Sequence, residues 1–171
     1  MMMTAGEGML ELEYTKADAV NSTNGHHMAS QPRFVCFQLG SGSYCVPADD
    51  VAEVAHPLAV TKLPGGAAPL MGIASLRGEI VAVIDLRTML NEKPPAFSSK
   101  PKFVVVMSPG GECPVAMPVD GMRDMISAQP ADLSAETPNS PFIKGSISMD
   151  GINAGVVDIG ELRNTVTRCT A

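Results

Sequence analysis

The stretch Gly72–Leu90, GIASLRGEIVAVIDLRTML, decides the fold. Its run Ile80-Val81-Ala82-Val83-Ile84 is continuously apolar and rich in β-branched residues. The run is too short for a helix and shows no polar alternation, so it predicts a strand buried on both faces. Gly78 supplies the backbone freedom for a tight turn at Arg77-Gly78, which makes the preceding residues the partner strand of a hairpin. Asp85 follows as the N-cap of a short helix, its carboxylate placed to accept the first free N–H groups. Arg77 is left as one charge at the tip of an apolar hairpin. The plainest reading of such a residue is a solvated turn.

The same pattern closes the chain. At an offset of 73 residues Gly72 is matched by Gly145, Gly78 by Gly151, Val83 by Val156, Ile84 by Val157, Asp85 by Asp158 and Leu86 by Ile159. Upstream, Val35, Phe37 and Leu39 predict one face of a strand and Cys36 and Gln38 the other. Gly40–Ser43 reads as a hairpin turn, and Tyr44-Cys45-Val46 starts the return strand. Asp49–His56 reads as a short strand or a helical turn. Phe103-Val104 restarts the pattern 69 residues after Phe34-Val35, with a turn at Pro109-Gly110-Gly111 and a return strand at Pro114–Met117. Val119–Met125 takes the place of the Asp49–His56 segment.

The chain is therefore a two-fold repeat of β-rich units, roughly 34–90 and 103–162, joined by the polar, Pro-rich connector Asn91–Pro101. Residues 1–32 lack sustained periodicity and read as a disordered N-terminal tail, and residues 165–171 as a C-terminal tail. Units this small are marginal alone, so the two are expected to pack together or exchange strands. Short strands at regular spacing suggest small barrels, and a seam between two of them is a groove suited to a partner helix.

Composition narrows the function. The 171 residues carry 45% hydrophobic and 18% charged side chains, with a net charge of −6. An acidic chain without Trp is poorly suited to phosphate neutralisation or base stacking, so no nucleic-acid partner is expected. No apolar run is long enough to span a bilayer, so no direct membrane insertion is expected. Met1-Met2-Met3 leads into Glu7, Glu11 and Glu13 rather than a basic and then apolar leader. Cys36, Cys45, Cys113 and Cys169 form no CxxC pair and have no His at zinc-ligand spacing, which predicts reduced thiols of a cytosolic protein, three of them in strands.

No metal, cofactor or catalytic constellation is expected. Asp85 and Asp158 could be paired catalytic carboxylates of a duplicated fold, but Leu86-Arg87 and Ile159-Gly160 follow them instead of a small hydroxyl residue and Gly. They read as caps, with Asp158 and Glu161 forming a capping box.

Three motifs in order carry a resemblance: Phe37-x-Leu39-Gly40-x-x-x-Tyr44; Met71-Gly72-Ile73-x-x-Leu76-Arg77-Gly78-x-Ile80-Val81-x-Val83-Ile84-Asp85-Leu86-Arg87; and Val119-Asp120-Gly121. Over residues 33–164 the chain resembles the CheW family, the coupling proteins of bacterial chemotaxis. The resemblance implies a mainly β fold of two packed five-stranded SH3-like β-barrels with short helices. It implies a cytoplasmic, non-enzymatic adaptor without cofactors, associated with membrane-bound receptor arrays. Its partners would be a CheA-type histidine kinase and methyl-accepting chemoreceptors, whose cytoplasmic tips it would couple to the kinase.

By motif position, Val51, Glu53 and Arg77 are expected to face the kinase, and Gly72, Arg77, Phe103 and Met125 the receptor. Core packing is the competing reading for Phe103 and Met125. Arg77 has no counterpart in the second unit, where Asp150 holds its place, so the fold can turn this corner without an arginine. Ser75 and Ala82 stand where the family often has Asn and Pro. A flagellar array, a type IV pilus or other chemosensory system, and an array-associated variant all remain open, with a generic peptide-binding barrel as the alternative outside the family.

Overall fold

A computed structural model describes residues 31–66, 68–93, 100–108, 114–129, 132–134, 140–149 and 151–170. The tail expected over 1–32, apart from its last two residues, lies outside them, as do the Pro109-Gly110-Gly111 turn, Cys113, Asp150 and most of the connector.

The architecture is mainly β. The first unit supplies β1 (Arg33–Leu39), β2 (Gly42–Pro47), β3 (Val51–Ala55), β4 (Leu70–Leu76), β5 (Glu79–Ile84) and helix α1 (Leu86–Leu90). The second supplies β6 (Phe103–Met107), β7 (Val115–Val119), β8 (Gly121–Met122), β9 (Ile126–Ser127), β10 (Leu133–Ser134), β11 (Ile143–Met149), β12 (Ile152–Val157) and helix α2 (Ile159–Thr170). The ambiguous Asp49–His56 segment is both things in turn, a 3-10 turn at Ala48–Asp50 followed by β3. Helix α2 runs on through residues assigned above to a C-terminal tail, because Val166 packs against the core.

The strands form two sheets, one of seven strands in the order β10-β11-β12-β2-β1-β8 with β9 also on β1, and one of five in the order β3-β6-β7-β5-β4. The units exchange their opening hairpins. β12 runs parallel to β2, pairing Gly155 with Tyr44 and Val156 with Cys45. β5 runs parallel to β7, pairing Ala82 with Val115 and Val83 with Ala116. The first sheet exceeds the expected five strands because β8 and β9 meet β1 as two short pieces and β10 adds an edge. Among the described residues the second sheet has an isolated bridge, Thr61 to Ile73, where β10 would stand.

Burial on both faces explains the apolar runs. Val105 and Met107 of β6, Ala82 and Ile84 of β5, and Val35, Phe37 and Leu39 of β1 enter one core shared by the two sheets. Alternate residues enter private clusters: Val81, Val83, Val104, Val106 and Ala116 in the second sheet, and Phe34, Cys36, Cys45, Ala154 and Val156 in the first. This equivalence corrects the first half of the repeat. Val104, not Phe103, occupies the place of Phe34, an offset of 70, and Phe103 answers to Arg33.

The second half of the repeat holds at 73. Both copies shift register before the matched glycine, between Leu70 and Gly72 and between Ile143 and Gly145. Asp85 N–H donates to Pro69 O, and Asp158 N–H to Phe142 O, each at 2.8 Å. The second bond occupies the amide that a reciprocal capping box needs, so Asp158 Oδ1 accepts from Glu161 N without the return bond. Asp85 caps α1 as expected, accepting from Arg87 N at 3.0 Å.

One residue of the opening stretch departs from expectation. Ile80 is 65% exposed, while Val81–Ile84 are buried. β7 pairs with β5 at Ala82 and Val83, and the residue opposite Ile80 is Ser75, too small to cover it.

Candidate functional site

Arg77 and Gly78 form the two-residue turn between β4 and β5, with Leu76 paired to Glu79 across it. Both have positive φ, 50° for Arg77 and 88° for Gly78. Two positive φ values match the turn geometry that suits the right-handed twist of a hairpin, and Asn, Asp or Gly normally takes the first place. Arg gains nothing there locally, and a left-handed conformation costs a non-glycine residue about 1 kcal/mol. The second copy's Asp150-Gly151 is the preferred dipeptide for such a turn.

The guanidinium of Arg77 reaches Glu53, with Nη2 2.8 Å from Oε2. The Arg77 side chain is 81% exposed and that of Glu53 22% exposed. So exposed an arginine adds little stability through one ion pair. Glu53 Oε1 is buried with no hydrogen-bond partner among the described residues. The pair borders a cleft of about 250 Å³, whose walls include Leu76, Glu79, Val81 and Pro114. It thus offers a docking partner an outward planar set of donors, while Glu53 Oε1 stays buried.

A bulge aims Glu53 into this cleft. In β3 the pairing steps from Val51–Met107 to Glu53–Val106, leaving Ala52 as the extra residue. Regular alternation would put Val51 and Glu53 on one face; the bulge separates them. Val51 packs against the shared core, while Glu53 lies beside Val106 and the cleft. The two therefore do not form one contact face.

Gly72 is buried, and its φ is 147°. A Cβ there would lie 2.2 Å from Thr61 O. Thr61 and Ile73 exchange both backbone hydrogen bonds, at 2.8 and 2.9 Å, so Gly72 lets another segment lie against β4. Phe103 is half-buried against the shared core at the start of β6, the far end of that strand from the cleft. Met125 is 51% exposed on the other sheet, in the gap between β8 and β9. The structure thus joins Arg77 with Glu53 and keeps Met125 and Phe103 apart from them.

Two features escaped the sequence reading. Glu79 borders the same cleft and adds a second carboxylate to it. Arg87 pairs with Asp120, uniting two of the motifs quoted above. Their place in the Asp85-Leu86-Arg87 and Val119-Asp120-Gly121 motifs was the available signal, but nothing in the chain order says that they meet.

Among the described residues no helix is long and apolar enough to cross a membrane. The family model of the CheW-like domain matches residues 33–166. A probable chemotaxis protein CheW from Rhizobium etli is 24% identical over 121 residues, covering 68% of this chain and 77% of the relative. The chemotaxis protein CheW of Klebsiella aerogenes is 28% identical over 134 residues, covering 75% and 80%. Protein FrzA of Myxococcus xanthus is 35% identical over 69 residues, covering 38% and 43%. The crystal structure of the scaffolding protein TtCheW from Thermoanaerobacter tengcongensis superposes with a TM-score of 0.69 at 23% identity, covering 81% of this chain and 91% of that one, which supports the fold.

Proposed function

The chain belongs to the CheW-like domain family, and from that premise we propose that it is a non-enzymatic chemotaxis adaptor. It couples the cytoplasmic tips of chemoreceptors to a CheA-type histidine kinase, and it works in the cytoplasm at membrane-bound receptor arrays. The observation that carries this reading is Arg77, an exposed cation on a turn that its own residue type disfavours, paired with a partly unsatisfied Glu53. Strain held at an exposed turn points to selection for contact rather than for stability.

In this proposal Glu53 and Arg77 engage the kinase, and Arg77 also takes part in the receptor contact. Met125 offers a separate receptor contact on the other sheet. Val51, Gly72 and Phe103 act mainly by shaping these surfaces. The exchanged hairpins tie the two sheets into one body, so a shift at one contact can bias the other; coupling of this kind is typically about 1–3 kcal/mol.

The test is co-sedimentation of the full chain with receptor-containing membranes, with and without kinase. Binding to both, weakened by Arg77→Ala at unchanged melting temperature, is the expected result. Binding to neither overturns the reading. A second reading, service in a type IV pilus or other chemosensory system, draws on the stretch shared with FrzA. Sedimentation with only that system's receptors would select it.

A further inference from the structure

Cys36 on β1 and Cys45 on β2 stand directly opposite each other. The hairpin closes on the Leu39–Gly42 pair through a two-residue turn, and hydrogen-bonded and non-hydrogen-bonded pairs alternate from there. Counting back makes Cys36–Cys45 a non-hydrogen-bonded pair. The backbone agrees: Cys36 O accepts from Arg123 N at 2.9 Å, on the side of β1 away from β2. Non-hydrogen-bonded partners bring their Cα atoms to about 4.5 Å and their side chains closest, within the roughly 4.4–6.8 Å that a disulfide spans.

Both thiols point into the private cluster of the first sheet and are free. They contact one another. The Cys45 thiol donates to Cys36 and so lowers the Cys36 pKa, against the opposing effect of burial. The same hydrogen bond, together with burial, pushes the Cys45 thiol up. The second copy fills the equivalent pair of places with Val106 and Ala116, so packing here does not require sulfur.

Buried thiols are ordinarily inert. Access here requires local opening. The edge of β1 is held by two-residue strands, β9 at Arg33 and Phe34 and β8 at Phe37 and Gln38, and Ile126 of β9 packs in the same cluster as the two cysteines. Two-residue strands are the parts of a sheet that open at low cost.

We propose that Cys36 and Cys45 are an oxidation site, forming an intramolecular disulfide when local opening of β9 admits hydrogen peroxide. The Cys36 thiolate attacks the peroxide; an S–O bond forms, the O–O bond breaks, and the departing oxygen leaves as water after taking a proton. The Cys45 sulfur then attacks the Cys36 sulfenic acid. The S–S bond forms, the S–O bond breaks, and a second water leaves with the Cys45 proton. Two thiols lose two electrons in total and one hydrogen peroxide gains them. A thiol reductant reverses the link by exchange.

The experiment treats the reduced chain carrying Cys113→Ser and Cys169→Ser with hydrogen peroxide under native conditions, with circular dichroism recording that the fold persists. The expected result is an intact mass lower by two hydrogen atoms, a linked pair of peptides containing residues 36 and 45, and full recovery with dithiothreitol. Peptide mapping reads the same link in the unaltered chain, should those substitutions disturb folding. In a Cys45→Ala chain, dimedone should trap Cys36 as the sulfenic acid. Unchanged mass with both thiols alkylated only after denaturation overturns the proposal, as does a link that forms only once the chain is unfolded.

Discussion

Arg87, in the first turn of α1, donates to Asp120 at the end of β7, although 33 residues of chain separate them. Asp120 spends its other oxygen on Gly40 N, at 2.7 Å, in the turn between β1 and β2. One carboxylate thus ties the helix that closes the first unit to the hairpin that opens it, from a strand that belongs to the second. Both side chains are largely withdrawn from solvent, 17% and 14% exposed. Removing one member of such a pair strands the other.

Asp120→Ala should therefore lower unfolding stability by about 3 kcal/mol, within the range for breaking a buried pair. Urea titration reads this directly. Arg87→Ala should cost less, because Gly40 N keeps its acceptor. Equal effects would show that the Gly40 bond contributes little.

Gly72 and Gly145 occupy matched places but tolerate a side chain differently. A Cβ at Gly72 meets Thr61 O at 2.2 Å in a left-handed backbone, whereas at Gly145 the nearest atom is Ser134 O at 3.0 Å. Gly72→Ala should cost about 3 kcal/mol or more and Gly145→Ala about 1 kcal/mol. Thermal melts of the two variants decide it. A Gly72→Ala chain that melts normally and only loses receptor binding would make Gly72 a contact residue.

Arg77→Asn should stabilise the chain while impairing partner binding. Asn adopts positive φ more readily than Arg, and relief of that strain should add about 0.5–1 kcal/mol. The ion pair to Glu53 is lost, but an arginine so exposed returns little through it. A raised melting temperature with weakened co-sedimentation is the expected combination, and a fall in both would assign Arg77 to the fold.

Tyr44 donates its hydroxyl to Glu92, and its pKa is raised, first by burial and then by that carboxylate. Raising the folded-state pKa favours the protonated phenol in the native state. The resulting stability is complete below the ordinary tyrosine value of 10 and is lost as pH climbs above it. Stability should thus fall on raising the pH beyond about 10, and Tyr44→Phe should flatten that fall at a cost of about 1 kcal/mol at neutral pH. Denaturant midpoints across this range check the sign.

Much of the fold is legible in the chain. Apolar runs at Val81–Ile84 and Phe103–Met107 announce strands covered on both sides, because only such strands dispense with polar alternation. Matched glycines and capping aspartates mark the repeat because a close approach and a helix start each demand particular residue types. The hairpin register is less legible. Phe34 and Phe103 look equivalent by identity, yet Val104 takes the place of Phe34, since a cluster is filled by position and not by residue name.

The candidate site was legible as residue types but not as an arrangement. Arg77 stands out because its turn has no use for it. That Glu53 meets it depends on the extra residue Ala52, and a bulge leaves no mark in a pattern of alternating side chains.

The sequence by itself determined the strands, the tight turns, the caps and the duplication, all products of local conformational preference and short-range polarity. Only the tertiary structure decided that each unit lends its opening hairpin to the other, that Arg87 finds Asp120, that Glu53 turns toward Arg77 and that Cys36 faces Cys45. Those choices depend on which strand edges meet after collapse. Every buried strand here offers much the same apolar faces and unpaired backbone groups, so the partner is selected by the shape of the whole core.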